Sequence, residues 1–122
     1  MKRAILLVDH GSRRDAANQQ LLAVAEGLRG RLSDNQTVEI AHMEIAEPSI
    51  ETAIATCAGA GIEAIAVHPY FLGPGRHIRE DIPALVAAAQ KNHPHITITI
   101  AEPLGLHPGL SDAVLAWVNE SS

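Results

Sequence analysis

The sequence predicts an α/β fold: a flavodoxin-like, four-stranded parallel sheet of order 2-1-3-4 with helices on both faces. Three observations carry this. Short apolar runs alternate with stretches of helical periodicity four times over. The first run is continuous rather than alternating, as a strand buried on both faces requires. Glycine and proline punctuate the junctions. Alternation of this kind implies parallel strands joined by crossover helices.

The elements follow in order. Ala4 to Val8 is the first strand, and Leu21, Leu22, Val24, Ala25, Leu28 and Leu32 then recur at helical spacing over about residues 14–32. Thr37 to Met43 reads as the second strand. Pro48 stands where a second helix would begin, with Ile50, Ala53, Ile54 and Cys57 on one face. Gly59 and Gly61 stop it, and Ile62 to His68 forms the third strand. Tyr70 to Arg76 contains Gly-Pro-Gly and must be a loop. Ile78, Ile82, Leu85, Val86 and Ala89 mark a third helix, which tolerates Pro83 only in its first turns. The β-branched run Ile96 to Ala101 is the fourth strand, and Pro108 opens a last helix carrying Leu110, Val114, Trp117 and Val118.

Composition narrows the function. The 122 residues suit a single domain, 1–122, and 47% apolar with 19% charged residues excludes a disordered tail. No apolar stretch is long enough to span a membrane, and Ala4–Val8 is too short for a signal peptide. The single cysteine, Cys57, excludes an internal disulfide, and a cytoplasmic location is expected. A net charge of −5 with no basic run makes nucleic acid an unsuitable partner. Three aromatics, Tyr70, Phe71 and Trp117, are too few to clamp a flavin or stack bases. Seven histidines are the unusual count, and they point to metal or proton chemistry.

Ligands of open α/β sheets bind outside the carboxyl ends of the strands. That edge collects Asp9-His10-Gly11-Ser12-Arg13-Arg14 after strand one and His42, Glu44 and Glu47 after strand two. It also collects His68 and the segment from Gly73 to Asp81 after strand three, and Glu102 after strand four. His10 precedes Gly11, a residue that lets backbone approach a ligand closely. His77 follows the glycine-rich loop. Two imidazoles and one carboxylate, Glu44, drawn from three adjacent loops would suit Fe²⁺, Co²⁺ or Ni²⁺ with open coordination positions. Arg13, Arg14, Arg76 and Arg79 form an anion-facing rim around them. His42 and His68 read as supporting residues, His93 and His95 as solvated, His107 as a cap of the last helix, and Cys57 as core.

Three segments resemble a known family: Leu7-Val8-Asp9-His10-Gly11-Ser12-Arg13, Met43-Glu44-Ile45-Ala46-Glu47-Pro48, and the long stretch from His68 to Pro83. They resemble sirohydrochlorin chelatases, the small class II tetrapyrrole chelatases of the CbiX type, through nearly the whole chain. The resemblance implies insertion of Co²⁺ or Fe²⁺, with Ni²⁺ used by a related small form, into sirohydrochlorin for cobalamin or sirohaem synthesis. It implies that His10 and His77 handle metal and protons, that Glu44 completes the metal site, and that Ser12, Arg13, Arg76 and Arg79 hold substrate. It implies no permanently bound cofactor, since the metal is a substrate. Longer members carry two such domains; short members pair as homodimers, and a homodimer is expected here.

Other readings of the same residues stay open to different degrees. A histidine phosphatase would end strand one in Arg-His-Gly; Asp9 stands in place of that arginine and would repel phosphate. An FMN-binding flavodoxin would carry a Ser/Thr/Gly loop where Gly11-Ser12-Arg13-Arg14 stands. A metal or tetrapyrrole carrier without turnover would use the same site as a chelatase.

Overall fold

A computed structural model describes residues 1–73 and 75–121, apart from the side chains of Arg76, His77 and Leu106. The chain alternates strand and helix as β1 (Arg3–Asp9), α1 (Asp15–Arg29), β2 (Gln36–His42), α2 (Ile50–Gly59), β3 (Ala64–Pro69), α3 (Arg76–Gln90), β4 (Thr97–Ile100) and α4 (Gly109–Glu120). A short 3₁₀ turn, Leu104–Leu106, precedes α4. The strands form one sheet of order β2-β1-β3-β4, and every pair is parallel. This is the expected order.

The central strand β1 explains itself. Its even-numbered residues, Ala4, Leu6 and Val8, face α2 and α3, while Leu7 faces α1, and all four are buried. Burying a side chain such as Leu6 is worth roughly 1.5–3 kcal/mol over leaving it exposed. The two faces are unequal. Fifteen buried residues, among them Ile54, Ile65 and Ile82, pack beneath α2 and α3. Only five, Leu7, Leu21, Ala25, Val38 and Ile40, pack beneath α1. That helix covers β2 and β1 and leaves the β3–β4 half of its face bare: Ala66, Thr97 and Thr99 are exposed. The last helix, α4, buries no residue and packs extensively on no other element, so helices do cover both faces but only three of the four contribute.

Two local expectations are corrected. Pro48 does not open α2; it follows a cis peptide bond, and Ser49 is the N-cap, its Oγ accepting from the Thr52 N–H at 3.1 Å. A hydroxyl at that position satisfies an otherwise orphaned donor, as proline does not. Pro83 lies at the eighth residue of α3, beyond the first turns. It removes one helical N–H, but Ile82 and Val86 on either side are 0% and 4% exposed, and their burial holds the helix together across the gap.

Candidate metal and tetrapyrrole site

The site begins where the parallel ladder runs past the ends of β1 and β2. The Met43 N–H donates to the Asp9 carbonyl (2.9 Å) and the Glu44 N–H to the His10 carbonyl (3.1 Å). Two loops 34 residues apart in sequence are thereby laid side by side. Gly11 sits in the crossing, at φ +94°, and a Cβ there would stand 1.9 Å from the Glu44 carbonyl oxygen. The bare Cα of Gly11 thus admits the neighbouring loop. Glu44 is aimed by a tight turn. The Ala46 N–H donates back to the Glu44 carbonyl at 2.8 Å around Ile45, whose φ is +74°. These are the marks of the rare, strained form of γ-turn, and a β-branched residue there stores about 1–3 kcal/mol.

The result is a donor pair. His10 Nε2 lies 2.8 Å from Glu44 Oε1, and both side chains are about 60% exposed. Two cis ligands at about 2.1 Å from one metal stand about 3 Å apart, so the pair already has nearly the separation that shared coordination needs. Behind it, buried His42 (1% exposed) directs Nδ1 at Asp9 Oδ1, 2.5 Å away. Asp9 thus spends its carboxylate on an interior histidine and fixes the end of β1, from which His10 projects. Nothing in the sequence pattern announced that pairing, since Asp9 and His42 belong to different strands. Ile45 was missed as well, and no residue-type signal could have found it.

Of the other expected site residues, Arg13 and Arg79 are exposed on the rim. The Ser12 hydroxyl accepts from the Arg14 N–H at 3.0 Å, and the Ser12 backbone is clasped by the Asn18 amide at both its N–H and its carbonyl. Arg76 and His77 stand in the first turn of α3, with side chains outside the described residues. Among the described residues no three metal-ligating side chains converge; the pair His10–Glu44 is what the structure brings together. Next to β3 and β4 a cavity of ≈ 330 Å³ is bounded by His68, Leu72, Arg79, Glu102 and His107. Burial lowers the pKa of His68, and its hydrogen bond to the Glu102 backbone carbonyl offsets part of that. His107 caps α4 as expected, its Nδ1 accepting from the Gly109 N–H at 2.9 Å. Cys57 is core as expected, and burial, with the nearby Glu39 charge adding, pushes its thiol up to about 11. Ile45-Ala46-Glu47-Pro48 and Ile100-Ala101-Glu102-Pro103 are alike in sequence, but only the first contains a cis peptide bond.

Comparison with known proteins gives a consistent picture. The CbiX family model matches residues 4–121. The chloroplastic sirohydrochlorin ferrochelatase of Arabidopsis thaliana is 44% identical over 110 residues, covering 90% of this chain and 48% of that protein. A cobalamin (vitamin B12) biosynthesis CbiX protein of Marinobacter aquaeolei superposes with a TM-score of 0.86 at 35% identity, covering 99% of this chain and 95% of the other. The sirohydrochlorin chelatase of Bacillus subtilis subspecies spizizenii, solved in complex with cobalt, gives 0.86 at 37% identity, covering 98% of this chain and 51% of that one. The chain thus spans about half the length of the two ferrochelatases of Arabidopsis and Bacillus subtilis that it matches, and nearly all of the Marinobacter protein.

Proposed function

The chain belongs to the CbiX family, and on that premise we propose that it inserts a divalent metal, Co²⁺ or Fe²⁺, into sirohydrochlorin. The observation that carries the reading is the exposed His10–Glu44 pair, an imidazole and a carboxylate 2.8 Å apart at the open edge of the sheet. Histidine nitrogen and carboxylate oxygen suit these metals. Two or three protein ligands load the ion yet leave positions open, so four pyrrolic nitrogens can take it away.

The reaction releases two pyrrole protons. A neutral imidazole, with an ordinary pKa near about 6.5, can accept one. His10 is assigned that role together with metal delivery, Glu44 the neutralising charge, and His77 the matching position across the ring. Ser12, Arg13, Arg76 and Arg79 are assigned to the substrate's carboxylates, as charge-assisted hydrogen bonds favour. Ile45 and Leu72, 59% and 69% exposed, offer apolar surface on which a macrocycle can lie despite the few aromatics. The whole chain serves as one domain, and two copies form the cleft as a homodimer. A cytoplasmic location fits the free thiol of Cys57; no helix of the described residues is long and apolar enough to cross a membrane.

The deciding experiment is an insertion assay with sirohydrochlorin and Co²⁺, Fe²⁺ or Ni²⁺ in competition, followed by absorption spectra. The parent should insert Co²⁺ or Fe²⁺. His10→Ala and His77→Ala should each lose roughly 10²–10⁴-fold in rate, and Glu44→Gln should need more metal. Tight binding of ring or metal without any rate enhancement would replace the enzyme with a carrier. A double His10→Ala, His77→Ala variant inserting at the parent rate would remove both histidines from the chemistry.

A further inference from the structure

At the edge of the sheet opposite His10 and Glu44, the connection between α3 and β4 carries two histidines that the chemistry above does not use. His93 and His95 flank Pro94. Their rings meet edge to face, with centroids 6.4 Å apart and planes inclined at 75°. The backbone beneath them is fixed. The Ile96 N–H donates to the His93 carbonyl at 3.1 Å. That bond closes a four-residue turn with proline in its second position, where the ring's fixed φ suits a turn. The Gln90 side chain donates from Nε2 to the Ile96 carbonyl at 2.7 Å, and the His93 N–H donates to the Gln90 carbonyl at 2.9 Å. Ile96 is 1% exposed and anchors the turn in the core. On this base His93 is half-buried and His95 exposed.

We propose that His93 and His95 form a second divalent-metal site, a chelate of two imidazoles for an ion that prefers nitrogen, such as Ni²⁺. The site is independent of the insertion chemistry and shares no residue with it. Imidazole nitrogen binds such ions at about 2.0–2.1 Å, so two ring centres on one ion stand about 4.5 Å apart when cis and about 6.4 Å apart when trans. The observed separation is the outer end of that range. Passing to a cis chelate takes side-chain rotation at exposed His95 and no movement of the pinned turn. Because one rigid turn holds both donors, the second metal–nitrogen bond forms within the same molecule, which strengthens the first. The position also separates this ion from the reaction. Register sets Thr97 beside Ala64 and Ala64 beside Arg3, so the turn lies at the start of the strands. The length of β1, at about 3.3 Å per residue, puts it about 20 Å from His10. The two metal stations differ in their donors as well: His10 and Glu44 offer nitrogen and oxygen, the turn two nitrogens. Affinity at such donors rises from Fe²⁺ through Co²⁺ to Ni²⁺, so the turn takes up Ni²⁺ ahead of the ions assigned to insertion.

Calorimetric titration of untagged protein with Ni²⁺ tests the site. The background is His10→Ala with Glu44→Gln, which dismantles the other station. Expected is one Ni²⁺ per chain. His93→Ala and His95→Ala should each weaken that binding about tenfold or more, because the remaining imidazole loses its intramolecular partner. The double variant should be little weaker than either single one. Ni²⁺ is paramagnetic, so the amide signals of the turn should broaden first in NMR spectra. Four results would overturn the chelate. Absence of Ni²⁺ binding in the background removes the site outright. Unchanged affinity in both single variants places the ion on other histidines. Losses that are small in each single variant and complete only in the double one mean two separate one-imidazole contacts. Half an ion per chain, with a sedimentation mass that doubles on adding Ni²⁺, means that two copies share the ion. None of these outcomes bears on whether the parent chain inserts metal, so the site stands or falls by itself.

Discussion

Replacing Gly11 with alanine tests the arrangement of the site most directly. At φ +94° any side chain is strained by about 1–2 kcal/mol. The new methyl would also lie 1.9 Å from the Glu44 carbonyl oxygen and 3.2 Å from His42 Cβ. Carbon and carbonyl oxygen settle no closer than about 3.3 Å, so the two loops must part by more than an ångström. Parting breaks the Met43-to-Asp9 and Glu44-to-His10 backbone bonds, each worth about 0.5–1.5 kcal/mol. Together the loss is about 2–5 kcal/mol. Gly61 is the control: its φ is +77°, but nothing lies within 4 Å of its Cβ position, so Gly61→Ala should cost only the strain, about 1–2 kcal/mol. Urea denaturation followed by circular dichroism gives both stabilities, and calorimetric titration with Co²⁺ reads the His10–Glu44 pair. Gly11→Ala should be the less stable variant and should bind Co²⁺ more weakly, while Gly61→Ala binds it as the parent does. Equal destabilisation of the two variants, with unchanged Co²⁺ affinity in both, would refute the crossing-loop account.

Ser49→Ala should lower stability by about 1 kcal/mol in urea, because the Thr52 N–H loses its acceptor. Ile45→Gly should do the opposite, raising stability by up to about 2 kcal/mol as the strain at φ +74° is relieved, while loosening Glu44 and weakening Co²⁺ binding in the same titration. The folded-state pKa of His68 lies below its unfolded value, so the unfolded chain binds the proton more readily. Stability from this group is therefore complete above about pH 6.5 and falls as pH drops from there through the lowered folded value; in His68→Gln that part of the pH–stability curve should flatten. The Cys57 thiol, buried and raised to about 11, should resist iodoacetamide at pH 8 in the folded protein and react once urea unfolds it.

Much of the fold is legible because burial writes itself into periodicity. The run Ala4 to Val8 predicts a strand covered on both sides, and Ala4, Leu6, Leu7 and Val8 are indeed buried. Helix starts are less legible. Proline at 48 and serine at 49 both suit a helix beginning, and only hydrogen-bond geometry distinguishes them. At the site, His10 and Glu44 were readable as residue types at strand ends, but their pairing depends on a ladder that continues past the strands, which no periodicity encodes. The strain at Ile45 left no trace at all, since isoleucine is the residue one would least expect at a positive φ. The bare half of the sheet was hidden for a related reason: the α4 stripe looks like any helix that packs on its own domain, yet α4 buries no residue.

The unequal filling of the two faces sets an order for local opening. Cooperative units with few buried contacts exchange their amide protons before the global transition. Among the helices that pack on the sheet, α1, resting on five buried residues against fifteen on the other side, is the first such unit. Because Asn18 of α1 clasps both backbone groups of Ser12, an opening of that helix also frees the loop that carries His10. The thin face of the molecule thus sets how often the His10 loop loosens, even while the half beneath α2 and α3 remains closed.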